Sequence, residues 1–260
     1  MKRFNLQSVV LFFVSLFLFT SCIDGGGGNK QSGQAFGVVR FDYKTMRNVL
    51  DVSDYESLYS IRFQEAYEGN CFVVAYEIDF DIPENSYENI EANGFMYADI
   101  FDKIDIDRWT VQSSLLDTSR TLTNELPLID GLLENNITYF RGIMFAASAL
   151  EMPTDQTMSW NLSYNSENMM TDENGYRYYN VFLRSTINRD GTKSKDKIGI
   201  ANAYEMKYFM EDVARKEKSM GTTTIRIRFN YASAISEDGQ ITWAHKDAQE
   251  VPIEYILPEG

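Results

Sequence analysis

The sequence predicts a mainly β protein built from antiparallel strands, with a single long helix. Three observations carry this prediction: apolar and polar residues alternate over many short segments, Asx-Gly pairs separate several of these segments, and a helical apolar stripe occurs once. Apolar residues make up 44% and aromatic residues 14% of the 260 residues, which excludes a wholly disordered chain. We therefore expect a folded chain with a substantial β core.

The first 21 residues have the pattern of an export signal. Lys2 and Arg3 precede an apolar run from Val9 to Phe19 that only Ser15 interrupts. Because a helix that spans a bilayer needs about 20 apolar residues, this run is too short for a stable membrane span. We assign residues 1–21 as a lipoprotein signal peptide on the basis of the motif that follows.

The segment Leu18-Phe19-Thr20-Ser21-Cys22 resembles the lipobox of bacterial lipoproteins. In that family the cysteine receives the lipid and becomes the first residue of the mature chain, so the resemblance implies that Cys22 is the lipid attachment site. Phe19 stands where the family usually has leucine. Ile23 follows the cysteine in place of aspartate, which favours sorting to the outer membrane and leaves open whether the protein faces the periplasm or the cell surface. An ordinary secretory signal is the alternative.

The composition of the chain after the predicted signal peptide limits the classes of molecule that it can be expected to bind. Residues 22–35 are rich in glycine and polar residues and predict a flexible tether to the membrane. Without Lys2 and Arg3 the chain has 22 basic and 38 acidic residues, a net charge of −16. Since phosphate groups are bound by basic surfaces, nucleic acid is excluded as an expected partner. Acylation of Cys22 would leave Cys71 as the remaining thiol, so no internal disulfide is expected.

Residues 36–112 are predicted to form a first β domain. From Phe72 to Phe80, every second residue is apolar, and acidic side chains fall on the opposite face after position 76. Further strands are predicted over residues 37–43 and 94–101. The segment from Ser113 to Asn136 is weaker in pattern, and we place the domain boundary at its start.

Residues 113–260 are predicted to form a second, larger β domain. Its strands are predicted over residues 139–147, 158–164, 176–187, 225–231 and 240–245. The pairs Asn174-Gly175, Asp190-Gly191 and Asp238-Gly239 predict hairpin turns and hence antiparallel pairing.

One helix is predicted over residues 203–218. Asn202 is the expected N-cap, with Glu205 completing a capping box and Gly221 just beyond the helix end. The stripe of Met206, Phe209, Met210 and Val213 is expected to face the core.

This layout resembles the NigD-like lipoproteins of the Gram-negative envelope. The resemblance rests on the lipobox, on the strand segment Gly69–Ile78, on the hairpin Tyr176–Lys193, and on the succession of strand, helix-like insert and strand from Tyr204 to Tyr231. It implies an N-terminal OB-like β-barrel and a C-terminal antiparallel β-sandwich with one helix. The family has no settled biochemical activity, so the resemblance implies a fold and a location more than a function.

No constellation of residues identifies a reaction. His245 is the only histidine, and we expect Cys71 to be packed in its apolar strand rather than paired with it as a nucleophile. A Gly-x-Ser-x-Gly elbow is missing from the sequence. The aspartates at positions 99, 102, 105 and 107 leave calcium open, although a solvated acidic face is favoured. We predict no catalytic residue, no metal site and no cofactor.

Aromatic side chains are the best candidates for binding. Trp160 lies on an apolar strand face and is expected in the core. The run Tyr176, Tyr178, Tyr179 places at least one ring on each face of its strand, so we predict Tyr178 and Tyr179 as ligand-binding residues. The leading hypothesis is a non-enzymatic, outer-membrane-anchored lipoprotein that binds a protein or glycan. The alternatives are a carboxylate-based glycan hydrolase and a purely structural envelope component.

Overall fold

A computed structural model of the chain describes residues 28–113, 118–129, 132–247 and 250–257. They form two compact units, residues 28–107 and residues 108–257, which we call the N-terminal unit and the C-terminal unit. Strands dominate both, which confirms the predicted fold class. The predicted signal peptide and Cys22 lie outside the described residues.

The N-terminal unit is an OB-like barrel of six strands. Its elements are β1 (Lys30–Asp42), β2 (Arg47–Asp51), β3 (Ser57–Tyr59), β4 (Cys71–Asp79), α1 (Tyr87–Asn93), β5 (Met96–Tyr97) and β6 (Asp99–Gln112), the last of which continues into the C-terminal unit. Strand β1 pairs antiparallel with β2 and β4, β4 pairs with β6, and β3 pairs parallel with β5. Because Ala98 alone separates β5 from β6, the sheet closes on itself. Leu50, Leu58, Phe63 and Phe72 fill the core.

Strand β1 begins at Lys30, which differs from the predicted tether over residues 22–35. Residues 30–35 pair with β4, beginning with Lys30 opposite Asp79. A Cβ atom at position 33 would lie 2.8 Å from the Tyr76 hydroxyl, so Gly33 leaves room for that ring across the strand pair. Gly33, which the sequence analysis placed in a flexible tether, therefore allows the Tyr76 ring to pack against strand β1.

The C-terminal unit is a β-sandwich. Its elements are β7 (Glu125–Leu126), β8 (Leu132–Phe140), β9 (Ile143–Pro153), β10 (Thr157–Thr171), β11 (Arg177–Arg189), β12 (Lys195–Glu205), α2 (Lys207–Ser219), β13 (Thr224–Ile225), β14 (Ile227–Ile235), β15 (Ile241–Asp247), β16 (Val251–Pro252) and α3 (Ile253–Ile256). One sheet has the order β10-β11-β14-β15, and the other has β8-β9-β12. Leu162, Val181, Phe229 and Tyr204 belong to the shared core, as does Trp160, which was predicted there.

The sequence predicted antiparallel pairing throughout the sandwich, but the structure also contains parallel pairs. Strands β11 and β14 run parallel, with Tyr179 opposite Ile227 and Leu183 opposite Tyr231. Parallel neighbours need a long connection, and here β12 in the other sheet and helix α2 supply it. A second parallel pair joins β10 to the end of β6.

Two of the three predicted hairpin turns are present. Asn174-Gly175 joins the antiparallel strands β10 and β11, and Asp238-Gly239 joins β14 and β15; both glycines have positive φ, 82° and 81°. The hairpin predicted at Asp190-Gly191 is wrong, because β12 pairs with β9 and not with β11. A Cβ atom on Gly191 would lie 2.4 Å from the Cβ atom of Pro153, so packing requires this glycine.

The strand predicted over residues 139–147 is two strands. Strands β8 and β9 form a hairpin whose central residues, Arg141 and Gly142, have φ of 51° and 78°. Two successive residues with positive φ are typical of a type I′ turn. The sequence analysis took residues 139–147 as one strand because apolar residues lie on both sides of the turn. Arginine, its first central residue, is not a common turn residue.

Helix α2 begins at Lys207, not at position 203 as predicted. Residues 203–205 end strand β12 instead, with Ala203 opposite Phe145 in the ladder. Asn202 is therefore not an N-cap. The predicted apolar stripe is nevertheless buried, and the Phe209 ring lies 4.2 Å from that of Tyr164 between centroids. Within the described ranges, no helix has the length and apolar content that a membrane span requires.

Candidate aromatic binding face

The outer face of the C-terminal unit displays aromatic rings and guanidinium groups side by side. Strand β11 alternates, so Tyr179, Val181 and Leu183 point into the core while Tyr178, Asn180 and Phe182 point outward. On the neighbouring strand β14, the same alternation turns Arg228 and Asn230 outward. We call the outward residues Tyr176, Tyr178, Asn180, Arg226, Arg228 and Asn230 the Tyr–Arg face.

Two arginine–tyrosine stacks form the centre of the Tyr–Arg face. The guanidinium carbon of Arg226 lies 3.8 Å from the centroid of the Tyr176 ring, and that of Arg228 lies 3.9 Å from the centroid of the Tyr178 ring. Cation–π attraction holds each pair. Tyr176 directly precedes strand β11 and Tyr178 is its second residue, and two residues of extended chain span about 7 Å. The two stacks present two flat surfaces in a fixed spacing.

Hydrogen bonds and an ion pair fix these side chains further. Arg228 donates to the Tyr178 hydroxyl at 2.9 Å, and Arg226 is paired with Glu250. The Asn230 amide donates to Asn180 Oδ1 at 2.9 Å. Side chains held in this way lose little conformational freedom when a ligand binds.

Tyr178 and Tyr179, the two predicted ligand-binding residues, lie on opposite faces of β11. Tyr178 is half-buried on the Tyr–Arg face. Tyr179 is 2% exposed and donates to Glu217 Oε1 at 3.1 Å, so its ring is a core residue and offers no surface to a ligand. Burial, and then the charge of Glu217, raises the pKa of Tyr179. The neighbour Tyr176 is 53% exposed and takes the place that the sequence analysis gave to Tyr179.

The arginines of the face were missed by sequence reasoning. The alternation of residues 225–231 does put Arg226 and Arg228 on the polar side of a strand. Their stacking on tyrosines depends on the parallel pairing of β11 with β14, which the sequence did not indicate.

A second aromatic pair borders the face. The rings of Phe182 and Trp243 meet edge to face, with centroids 5.1 Å apart, and the Trp243 indole donates to the Thr118 carbonyl at 3.0 Å. Beneath them, Arg184 and Glu125 form an ion pair whose side chains are both 0% exposed. The segment around Thr118 and Glu125 thus covers this end of the sheet. His245 is exposed on β15, opposite Asn230.

Cys71 and the four aspartates of β6 were the other residues considered for a chemical role. Cys71 is 3% exposed in the barrel, as its apolar strand predicted. The four aspartates of β6 considered for calcium are all exposed. No group of three or more potential metal ligands occurs in the part of the chain that the structure describes.

A cavity of about 130 Å³ lies beside β8 and β16. Ile137, Met144, Val251 and Pro252 give it apolar walls, and Glu250, the partner of Arg226, is at its rim. It is small compared with the cavities of several hundred Å³ that hold drug-sized ligands.

Comparison with known proteins agrees with this architecture. Residues 27–104 match the family described as the lipoprotein OB domain, which confirms the predicted OB-like fold and supports an envelope lipoprotein. No curated protein matches the chain.

Three solved structures are similar along most of the chain. An uncharacterized protein from Parabacteroides merdae has a TM-score of 0.72 and 24% identity, covering 85% of this chain and 99% of its own. A protein from Bacteroides fragilis that carries the description of a lipoprotein has a TM-score of 0.54 and 10% identity, covering 86% and 98%. A NigD-like immunity protein from Bacteroides caccae has a TM-score of 0.45 and 15% identity, covering 81% and 90%. The first two of these similarities concern the fold.

Proposed function

We propose that the protein is an outer-membrane-anchored lipoprotein that binds a glycan through the Tyr–Arg face and catalyses no reaction. The observation that carries the proposal is the pair of fixed arginine–tyrosine stacks. Sugar rings have apolar C–H faces that stack on aromatic rings, and hydroxyl groups that bond to amides and guanidinium groups. The Tyr–Arg face combines aromatic rings with guanidinium and amide groups, the amides being those of Asn180 on β11 and Asn230 on β14.

A glycan suits the charge of the protein better than a polyanion does. The net charge without the signal residues is −16, and Arg226 is already paired with Glu250. A neutral, hydroxyl-rich ligand has no charge to be repelled. A protein partner is the second possible ligand, because tyrosine and arginine are also common in protein interfaces.

A glycan array with matched variants tests the binding proposal. We expect the mature chain to give a signal that Tyr176→Ala and Tyr178→Ala each reduce about fivefold or more, as loss of a stacking ring costs on the order of 1 kcal/mol or more. Tyr208→Ala is the matched control, because Tyr208 is 81% exposed on helix α2, away from the face. Equal signals from all three variants, or no glycan bound by the wild type, would contradict the proposal; binding of a protein from the envelope to wild type alone would favour the second candidate.

The membrane anchor has its own test. We expect intact-mass analysis of membrane-fraction protein to find an acyl mass on wild-type Cys22 that is missing in Cys22→Ala. If both proteins are unacylated and soluble, the lipobox interpretation is wrong and the proposed location fails with it.

The hydrolase alternative has less support. A glycosidase acid needs a raised pKa. Among the described residues, each aspartate or glutamate whose pKa departs from its ordinary value has a lowered pKa: Asp42, Asp155, Asp212, Glu217 and Asp238. We therefore do not propose a reaction.

A further inference from the structure

The small cavity beside β8 and β16 lies next to the Tyr–Arg face, and Glu250 joins the two. Glu250 lines the cavity and is also the ion-pair partner of Arg226, whose guanidinium carbon lies 3.8 Å from the centroid of the Tyr176 ring. Because an ion pair places a carboxylate oxygen within about 4 Å of the guanidinium carbon, the Glu250 carboxylate lies within about 8 Å of that centroid. A sugar stacked on Tyr176 can therefore reach the cavity with a substituent of its ring.

The cavity has apolar walls and two polar groups. Ile137, Val251 and Pro252 contribute apolar atoms, whereas Thr138 offers a hydroxyl group and Glu250 a carboxylate. Since a cavity of about 150 Å³ holds benzene, the volume of about 130 Å³ suits a group of about four or five non-hydrogen atoms. A whole sugar ring or a long acyl chain is too large for it.

These properties distinguish between the substituents that a sugar ring can carry. A hydroxyl group has no apolar part to contact the walls, and burial of a polar group beside apolar walls costs free energy. A free amine would meet the Glu250 carboxylate, but that charge is already paired with Arg226. An acetamido group has a methyl group for the apolar walls, an N–H donor for the Glu250 carboxylate and a carbonyl acceptor for the Thr138 hydroxyl.

We propose that this cavity binds the acetamido group of an N-acetylated amino sugar and makes the protein selective for glycans that contain such sugars. The inference rests on the proposed function, because the sugar ring itself stacks on Tyr176 of the Tyr–Arg face. One additional methyl or methylene group in an apolar pocket typically raises affinity about 10- to 200-fold. We therefore expect the acetamido group to raise affinity about tenfold or more.

Isothermal titration calorimetry of the mature chain with matched trisaccharides tests this selectivity. Chitotriose and cellotriose have the same backbone and differ in the group at carbon 2, which is acetamido in chitotriose and hydroxyl in cellotriose. We expect the wild type to bind chitotriose about tenfold more tightly than cellotriose, or better. The chitosan trimer, which has a free amine at carbon 2, should bind more weakly than chitotriose.

Two variants separate the cavity from the stacking surface. Thr138→Phe fills the cavity and Tyr255→Ala removes part of its wall, so each should bring the ratio of the two affinities close to one. Tyr255 is 39% exposed, so its replacement spares the core if the phenylalanine variant does not fold. Tyr176→Ala is the control, because loss of the stacking ring should weaken the binding of both trisaccharides and leave their ratio unchanged.

The outcomes distinguish this inference from the proposed function. Equal affinities of the wild type for chitotriose and cellotriose would overturn the inference and leave the glycan-binding proposal in place. Tighter binding of the chitosan trimer, or a preference for chitotriose that persists in both cavity variants, would also overturn it. Binding of neither trisaccharide would overturn the inference as well, and the glycan array then decides the proposed function on its own.

Discussion

Replacing Glu125 with glutamine should strongly destabilise the C-terminal unit. Glu125 accepts from Arg184 Nε at 2.7 Å and from the Leu122 amide at 2.7 Å, while Arg184 also donates to the Arg120 carbonyl at 2.7 Å. Both side chains are 0% exposed, so Glu125→Gln removes the buried carboxylate charge to which the Arg184 guanidinium donates. Two charges about 4 Å apart attract by roughly 4 kcal/mol at an effective dielectric constant of about 20. This agrees with the loss of about 3–5 kcal/mol that is typical when one partner of a buried pair is removed.

Urea unfolding followed by tryptophan fluorescence measures this loss. All three tryptophans, Trp109, Trp160 and Trp243, lie in the C-terminal unit, so their signal reports on it. We expect a lower midpoint with little change in the slope. The matched control is Glu211→Gln, which removes a surface partner of Arg215 at 3.7 Å and should cost less than about 0.5 kcal/mol. A loss below about 1 kcal/mol for Glu125→Gln would show that water reaches the pair and would refute the reasoning.

Three further predictions concern a carboxylate, a glycine and a turn. Burial raises the pKa of Glu217, but hydrogen bonds from Arg177, Thr222 and Tyr179 outweigh burial, and the pKa falls below 4.5. Its stabilisation is therefore complete above the unfolded pKa and lost as the pH falls through the folded pKa, so Glu217→Gln should flatten the acid limb of the pH–stability curve and cost about 2 kcal/mol at pH 7. Gly37→Ala should cost about 1–3 kcal/mol in urea unfolding, because a Cβ atom would lie 2.4 Å from Cγ of the fully buried Leu50. Arg141→Asn should increase the free energy of unfolding by about 0.5–1 kcal/mol and so raise the melting temperature, because asparagine tolerates the φ of 51° better than arginine.

Each of these predictions has an outcome that would contradict it. An acid limb unchanged in Glu217→Gln would mean that another carboxylate dominates acid unfolding. Gly33→Ala should cost less than Gly37→Ala, since its Cβ would meet the half-exposed Tyr76 ring, which can move; the reverse order would contradict the packing argument. Arg141→Val should destabilise the hairpin, because β-branched residues disfavour positive φ, and a stabilising valine would contradict the turn assignment.

Sequence patterns predicted elements well where one physical rule acted alone. Alternation identified the strand at Phe72–Phe80 and the outward side chains of β14. Asn174-Gly175 identified its hairpin because the turn needs a residue with positive φ, which Gly175 supplies. The helix start failed because the ladder between β12 and β9 continues through Glu205 and takes residues that also suit a capping box.

The candidate binding face was predictable only in part. Exposure of a tyrosine in the run 176–179 follows from alternation, yet which ring is buried depends on which face meets the core. The arginine partners come from a strand that is distant in sequence and parallel in the sheet, and local patterns carry no information on such pairing.

The early start of strand β1 has a consequence for the proposed lipid anchor, because it sets the length of chain between Cys22 and the barrel. With the lipid on Cys22, eight residue steps lead to Lys30, where pairing with Asp79 begins, and a fully extended chain of that length reaches at most about 28 Å. The barrel end at Lys30 also holds Glu77, Asp79 and Asp81, of which Asp81 accepts from the Asn29 amide. The lipid anchor proposed at Cys22 would therefore keep the Lys30 end of the barrel within this distance of the bilayer surface.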